Sequence, residues 1–207
     1  MVVMTLLVAS HVVSEDTKSQ KPTAAPAIPD MGAAIAKWER AMKPGPAHQK
    51  LDYFVGRWNT TTRIWMAGPS APPTETKGTS NMKWTMDGRF VHEDHAGEIA
   101  MPGADGKMQT LKFTGMGLMG HDNFKNLYTA NWVDSTRTDI QTMMGASDPT
   151  GKVFTYYGPM DEPMLDVYGR TVKFVKRILD DKRFVFEIFD VHAGEGYKVV
   201  EIAYERA

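Results

Sequence analysis

The densest cluster of side chains able to bind a metal or move a proton is His92-Glu93-Asp94-His95. Its donor types suit zinc or iron, but a strand repeats every two residues. His92 and Asp94 therefore take one face, and Glu93 and His95 the other. Four ligands divided in this way cannot converge on one tetrahedral ion. The helical His-Glu-x-x-His spacing of a zinc peptidase is also absent, because only two residues separate the histidines. The segment reads as a solvated polar strand, and no metal is expected.

Asp134 beside Ser135, with histidines elsewhere, supplies the residue types of a hydrolytic triad, but such triplets occur in most sequences. There is no Gly-x-Ser-x-Gly elbow and no phosphate-cradling loop. Gly115-x-Gly117-x-x-Gly120 has dinucleotide-loop spacing, yet it lies within a strand pattern with no helix behind it. Glycines there bend a strand tightly or make room for a bulky neighbour. The chain has no cysteine, which excludes disulfides, thiolate nucleophiles, iron–sulfur clusters and a lipidated cysteine anchor. No catalytic residue is assigned and no cofactor is expected.

Binding chemistry is better represented. Tyr128, Ala130, Trp132 and Asp134 share one face of a strand, presenting two aromatic bodies, a small gap and a carboxylate in a row. One reading is a core strand whose Asp134 caps a turn at the rim. The other is a cavity wall, in which aromatic surface holds an apolar ligand and a few polar groups orient it. Under the second reading Met116, Met119, Met143 and Met144 are adaptable lining, joined by Trp84; under the first they are filler.

These residues need a sheet to position them. From Gly56 onward, short runs rich in Thr, Val, Tyr, Phe and Trp alternate with turn residues, and no second helical stripe follows. The spacing predicts strands near 57–66, 76–86, 89–99, 108–120, 125–134, 138–146, 152–159, 169–179, 183–191 and 197–205. Asp87-Gly88 has the composition of a two-residue hairpin turn. Met82, Trp84 and Met86 share one face, as do Phe184, Phe186 and Ile188, so one side of the sheet is wet. About ten consecutive hairpins without a crossover helix predict an all-β, antiparallel up-and-down barrel, closed to remove its edges.

Upstream, Asp30 caps a short helix over 31–42 with Met31, Ala34, Ile35, Trp38 and Met42 on one face, ended by Lys43-Pro44-Gly45-Pro46. The Trp38 helix is the candidate cover for the barrel. Residues 1–14 read as a secretory signal, apolar through Val13 with small residues at Ser10 and Ser14, although no Lys or Arg precedes Lys18. Residues 15–29 read as a flexible tether, leaving 30–207 as the folded domain. The protein is thus expected to be exported, periplasmic or extracellular, with no transmembrane span. Its 24 basic and 25 acidic residues leave no footprint for nucleic acid.

Gly56-Arg57-Trp58 resembles the first-strand Gly-x-Trp signature of lipocalins and other calycins. Gly88-Arg89-Phe90, Gly120-His121-Asp122-Asn123, Tyr128, Trp132-Val133-Asp134-Ser135 and Ile202-Ala203-Tyr204-Glu205-Arg206 follow in order. Over roughly 48–206 the chain resembles a family of exported bacterial proteins, a domain of unknown function with a lipocalin-like barrel. The resemblance implies architecture and no catalytic residue. In calycins a basic residue of the last strand commonly covers the signature Trp, which implies closure through Gly56, Trp58, Tyr204 and Arg206. Related nitrobindin-like barrels bind haem through a histidine near the C-terminal strands; His192 is the only one in a comparable region, and no haem-pocket motif surrounds it. A binding module for one small, mostly apolar ligand ranks first, a packed interaction barrel second, and a cavity enzyme, with or without haem, last.

Overall fold

Strands with one apolar face each must bury that face, and a long meander does so by closing on itself. A computed structural model describes residues 30–207. The signal-like segment 1–14 and the tether 15–29 lie outside the described residues. The chain divides into two units between Lys37 and Trp38, within helix α1 (Met31–Met42). Ten strands follow: β1 Gly56–Ile64, β2 Thr74–Thr85, β3 Phe90–Pro102, β4 Met108–Asp122, β5 Leu127–Asp134, β6 Gln141–Ser147, β7 Val153–Glu162, β8 Val167–Ile178, β9 Arg183–Phe189 and β10 Lys198–Arg206. Each pairs antiparallel with the next, and β1 pairs with β10 to close the barrel.

The β2–β3 connection is longer than a two-residue hairpin. Thr85 pairs with Phe90, so Met86 to Arg89 form the loop, with positive φ at Met86, Asp87 and Gly88. Asp and Gly tolerate this region; Met86 is carried into it by the longer turn.

Trp38, the expected cover, is 56 % exposed, and no residue of α1 is buried. The cover is instead the segment after the Pro-Gly-Pro break: a short helix α2 (Pro46–Gln49) and a 3-10 turn (Asp52–Phe54). Leu51 and Phe54 are fully buried and His48 nearly so. Phe54 meets Phe154 and Phe184 edge-on, with centroids 5.4 and 5.1 Å away. The plug is also tied by polar contacts. Tyr128 donates its hydroxyl to Ala47 O at 2.9 Å, Trp84 Nε1 donates to Asp52 Oδ1 at 2.8 Å, and Trp58 Nε1 donates to Phe54 O at 2.8 Å. Asn123 donates to the carbonyls of Ala41 and Lys43, supplying partners that a helix C-terminus lacks.

The first and last strands meet at the plugged end. Trp58 pairs directly with Arg206, whose guanidinium carbon lies 4.1 Å from the indole centroid. The same guanidinium donates to Val55 O at 2.6 Å and to Tyr53 O at 2.7 Å. Tyr204 meets Trp58 edge-on and stacks on Phe184. Gly56 lies in the positive-φ region, and a Cβ there would collide with Arg206 Nη1, so this glycine makes room for the arginine.

Candidate functional site

Above the plug the barrel is not filled. A cavity of about 330 Å³ runs toward the far end of the strands, between Met119 and Lys176 near the plug and Ile64, Ile99 and Ile188 near the mouth. On one wall Trp132 stacks on Phe113 with centroids 6.5 Å apart. The glycine run makes this possible: a Cβ on Gly115 would overlap the indole of Trp132, and one on Gly117 would come within 3.2 Å of it. Asp134 has two sets of partners. Its Oδ1 accepts from Thr136 N and Oγ1 at 2.9 and 2.6 Å, capping the turn, while its Oδ2 accepts from Trp132 Nε1 at 3.0 Å and fixes the indole in the wall.

Of the residues expected to line a cavity, Met119, Trp132, Asp134 and Met143 do so. Met116 does not: it lies on the outer face of β4 and is 49 % exposed, the period-two consequence of an inward Met119. Met144 is outward for the same reason on β6. Trp84 and Tyr128 point inward but belong to the plugged end, where their polar atoms are taken by Asp52 and Ala47. Tyr204 lines the cavity as well as closing the barrel.

His92-Glu93-Asp94-His95 divides between faces as strand geometry requires. His92 and Asp94 pair outside, Nε2 to Oδ1 at 3.5 Å, but Glu93 and His95 are buried inside, so only half of the segment is a solvated face. Ser80 Oγ donates to Glu93 Oε1 at 2.7 Å, and the Tyr204 hydroxyl donates to the same oxygen at 3.2 Å. Ser80 has a single proton, so the 2.9 Å contact from His95 Nδ1 to Ser80 Oγ must have the imidazole as donor. The chain of donors runs from His95 to Ser80 to Glu93. A serine whose proton already goes to a carboxylate, and whose histidine is a donor to it, is not an activated nucleophile. Ser135 instead accepts from Thr114 N at 3.1 Å. Among the described residues no cluster of three or more His, Cys, Asp or Glu could hold a metal. His192 is exposed on the β9–β10 loop, outside the cavity lining.

Burial, with a smaller opposing influence from Glu93, holds the His95 imidazole below its ordinary pKa. Burial, aided by His121 and Arg89, does the same for His48, whose Nδ1 accepts from Gly45 N at 3.2 Å. Both histidines therefore favour folding as neutral rings. Their contribution is complete above about pH 6.5, the value in an unfolded chain, and declines as pH falls below it. The urea midpoint is expected to drop between pH 7.5 and 5.5, and the double variant His48→Asn/His95→Asn is expected to flatten that slope. An equal slope in the double variant would refute this origin.

Two groups escaped the sequence reading. Lys176 is buried on the inner face of β8, and Tyr156 is buried on β7. The inward row Val172-x-Phe174-x-Lys176-x-Ile178 carries the signal: a cation in the apolar register of an alternating strand.

Residues 43–206 match a family model described as a protein of unknown function, DUF1579. The chain belongs to the DUF1579 family. No curated protein matches it significantly. The crystal structure of Rv2717c from M. tuberculosis is similar at 13 % identity and a TM-score of 0.52, over 80 % of this chain and 99 % of that one. At this identity the likeness shows a shared fold for the DUF1579 chain. A redesigned β-barrel, b11L5F_LGL, aligns at 12 % identity and TM-score 0.34, covering 78 % and 95 %. EF1p2_mFAP2b bound to DFHBI aligns at 10 % and 0.34, covering 78 % and 99 %. Among the described residues no helix is long and apolar enough to cross a membrane.

Proposed function

We propose that this DUF1579 barrel is a binding module for one small, mostly apolar molecule. The observation that carries the reading is the cavity of about 330 Å³, whose surface is mostly apolar, with Phe113, Trp132, Met119, Met143 and Phe186 on its walls beside polar groups such as Glu93, His95 and Lys176. Ligand sites have this character: a few hundred Å³, largely apolar, with sparse orienting groups. An interior packed for structure alone would be filled to the density of a core. At about 30 Å³ for each water-sized group, the space takes roughly ten non-hydrogen atoms. The apolar run of Met1 to Val13 supports export of the module.

Native mass spectrometry of protein purified from its own host is expected to show added mass from a retained small molecule. Ala130→Phe, which fills the wall between Met119 and Met143, is expected to lower occupancy at least tenfold with the fold intact. Occupancy unchanged by that substitution, or an interior that admits no apolar probe, would overturn the reading.

A further inference from the structure

We infer that the ligand of the proposed binding cavity is an acid, and that Lys176 anchors its carboxylate at the cavity floor with the Tyr156 hydroxyl as second donor. This rests on the binding reading and adds the chemical class of the ligand.

Lys176 Nζ is surrounded by groups that leave its positive charge largely unmatched. The nearest polar partner is the Met119 thioether, with Sδ 3.5 Å away. Around it lie the rings of Phe54, Phe186 and Phe184, with centroids at 5.2, 5.7 and 6.0 Å. Aromatic faces and a sulfur attract an ammonium weakly and accept none of its three protons well. Among the described residues no carboxylate comes within ion-pair distance of this nitrogen. Glu93, the nearby carboxylate, already receives the Ser80 and Tyr204 hydroxyls on Oε1. Burial accordingly pulls the Lys176 pKa down, with only partial opposition from Glu93.

The second observation is independent. Tyr156 is buried, lines the same cavity, and its hydroxyl has no hydrogen-bond partner among the described residues. Its strand neighbours that of Lys176: Tyr156 pairs with Phe174 and Phe154 with Lys176, so the two donors are diagonal on one inner face. Buried donors are ordinarily satisfied, and here one has no partner while its diagonal neighbour has only a thioether, which leaves both able to serve an acceptor in the cavity. A carboxylate offers the lone pairs for both and the charge that Lys176 lacks.

Placement also fixes which way the ligand lies. Arg137, the other strong cation of the lining, is engaged by Asp139 through two hydrogen bonds of 2.9 and 2.6 Å, and does not compete. Of the lysines and arginines lining the cavity among the described residues, the one not engaged by a carboxylate is Lys176 at the floor, next to Phe54 of the plug. The acid enters head first, and its apolar body lies along Trp132, Met143 and Phe186 toward the mouth.

Three molecules of equal length separate this assignment from plain apolar binding: octanoate, octanol and octylamine, titrated calorimetrically into the full chain. Octanoate is expected to bind at least tenfold more tightly than octanol, and octylamine most weakly. Lys176→Met, an apolar replacement of similar length, is expected to bring octanoate within threefold of octanol while leaving octanol affinity near that of the parent. Tyr156→Phe is expected to weaken octanoate severalfold and octanol little. If octanol binds and octanoate is no tighter in the parent protein, or if the preference survives Lys176→Met, the Lys176 assignment falls and the binding module stands. If none of the three enters the cavity, both fall.

Discussion

Phe54→Ala is expected to destabilise the barrel by about 3–5 kcal/mol, the range for truncating a fully buried phenylalanine. Phe54, like Leu51 of the same plug, has no exposed surface. Its ring meets Phe154 and Phe184 and lies under the Lys176 ammonium. Truncation would remove a ring that three strands pack against, β7, β8 and β9, and leave a void that a closed barrel cannot collapse to fill. The backbone carbonyl of residue 54 would still accept from Trp58, so the change isolates packing from hydrogen bonding. Urea unfolding followed by circular dichroism measures the loss. Phe124→Ala, at a position 71 % exposed, is the matched control and should fall within about 0.5 kcal/mol of the parent. A loss from Phe54→Ala below about 1.5 kcal/mol would mean that the plug is not part of the cooperative unit.

The plug also shows where sequence reasoning reached and where it stopped. Ten strands in consecutive order follow from alternation and turn chemistry, because each is a local pattern: Phe184, Phe186 and Ile188 announce an inner face without reference to any other strand. Which element covers the end of the barrel is a tertiary matter. The Met31–Met42 helix has the stronger periodicity, yet Trp38 is exposed, while Leu51 and Phe54 belong to a stretch too short for any period to register. The site was half legible for a related reason. Strand parity separates Glu93 and His95 from His92 and Asp94, but it does not say which pair faces in; that is decided by Val91, buried on the same face as Glu93. Met116 and Met119 lie three apart, so only one can line a cavity, and the sequence offers no hint of which. Lys176 was overlooked because a cation in a strand is usually solvated.

Arg206→Ala, at the last residue of β10, is expected to cost about 2–4 kcal/mol. The guanidinium joins three features of the closed end. It donates to Val55 O and Tyr53 O, which are otherwise the loose carbonyls between the plug and β1. It covers the indole of Trp58, with its central carbon 4.1 Å from the ring centroid, and it occupies the space left by Gly56. Charge-assisted hydrogen bonds are the stronger kind, and leaving two partly buried carbonyls unpaired adds a desolvation penalty. Arg206→Lys keeps the charge but not the planar fork that reaches two carbonyls at once, so it should recover less than half of the loss. The indole contact is separable from the hydrogen bonds by a double-mutant cycle with Trp58→Phe. A guanidinium over an indole gains on the order of 1 kcal/mol or more when partly desolvated, and phenylalanine offers a smaller, weaker face. The coupling energy is therefore expected near 1 kcal/mol. A coupling of zero would show that Arg206 serves only the carbonyls and that β1 and β10 are held by their backbone ladder alone.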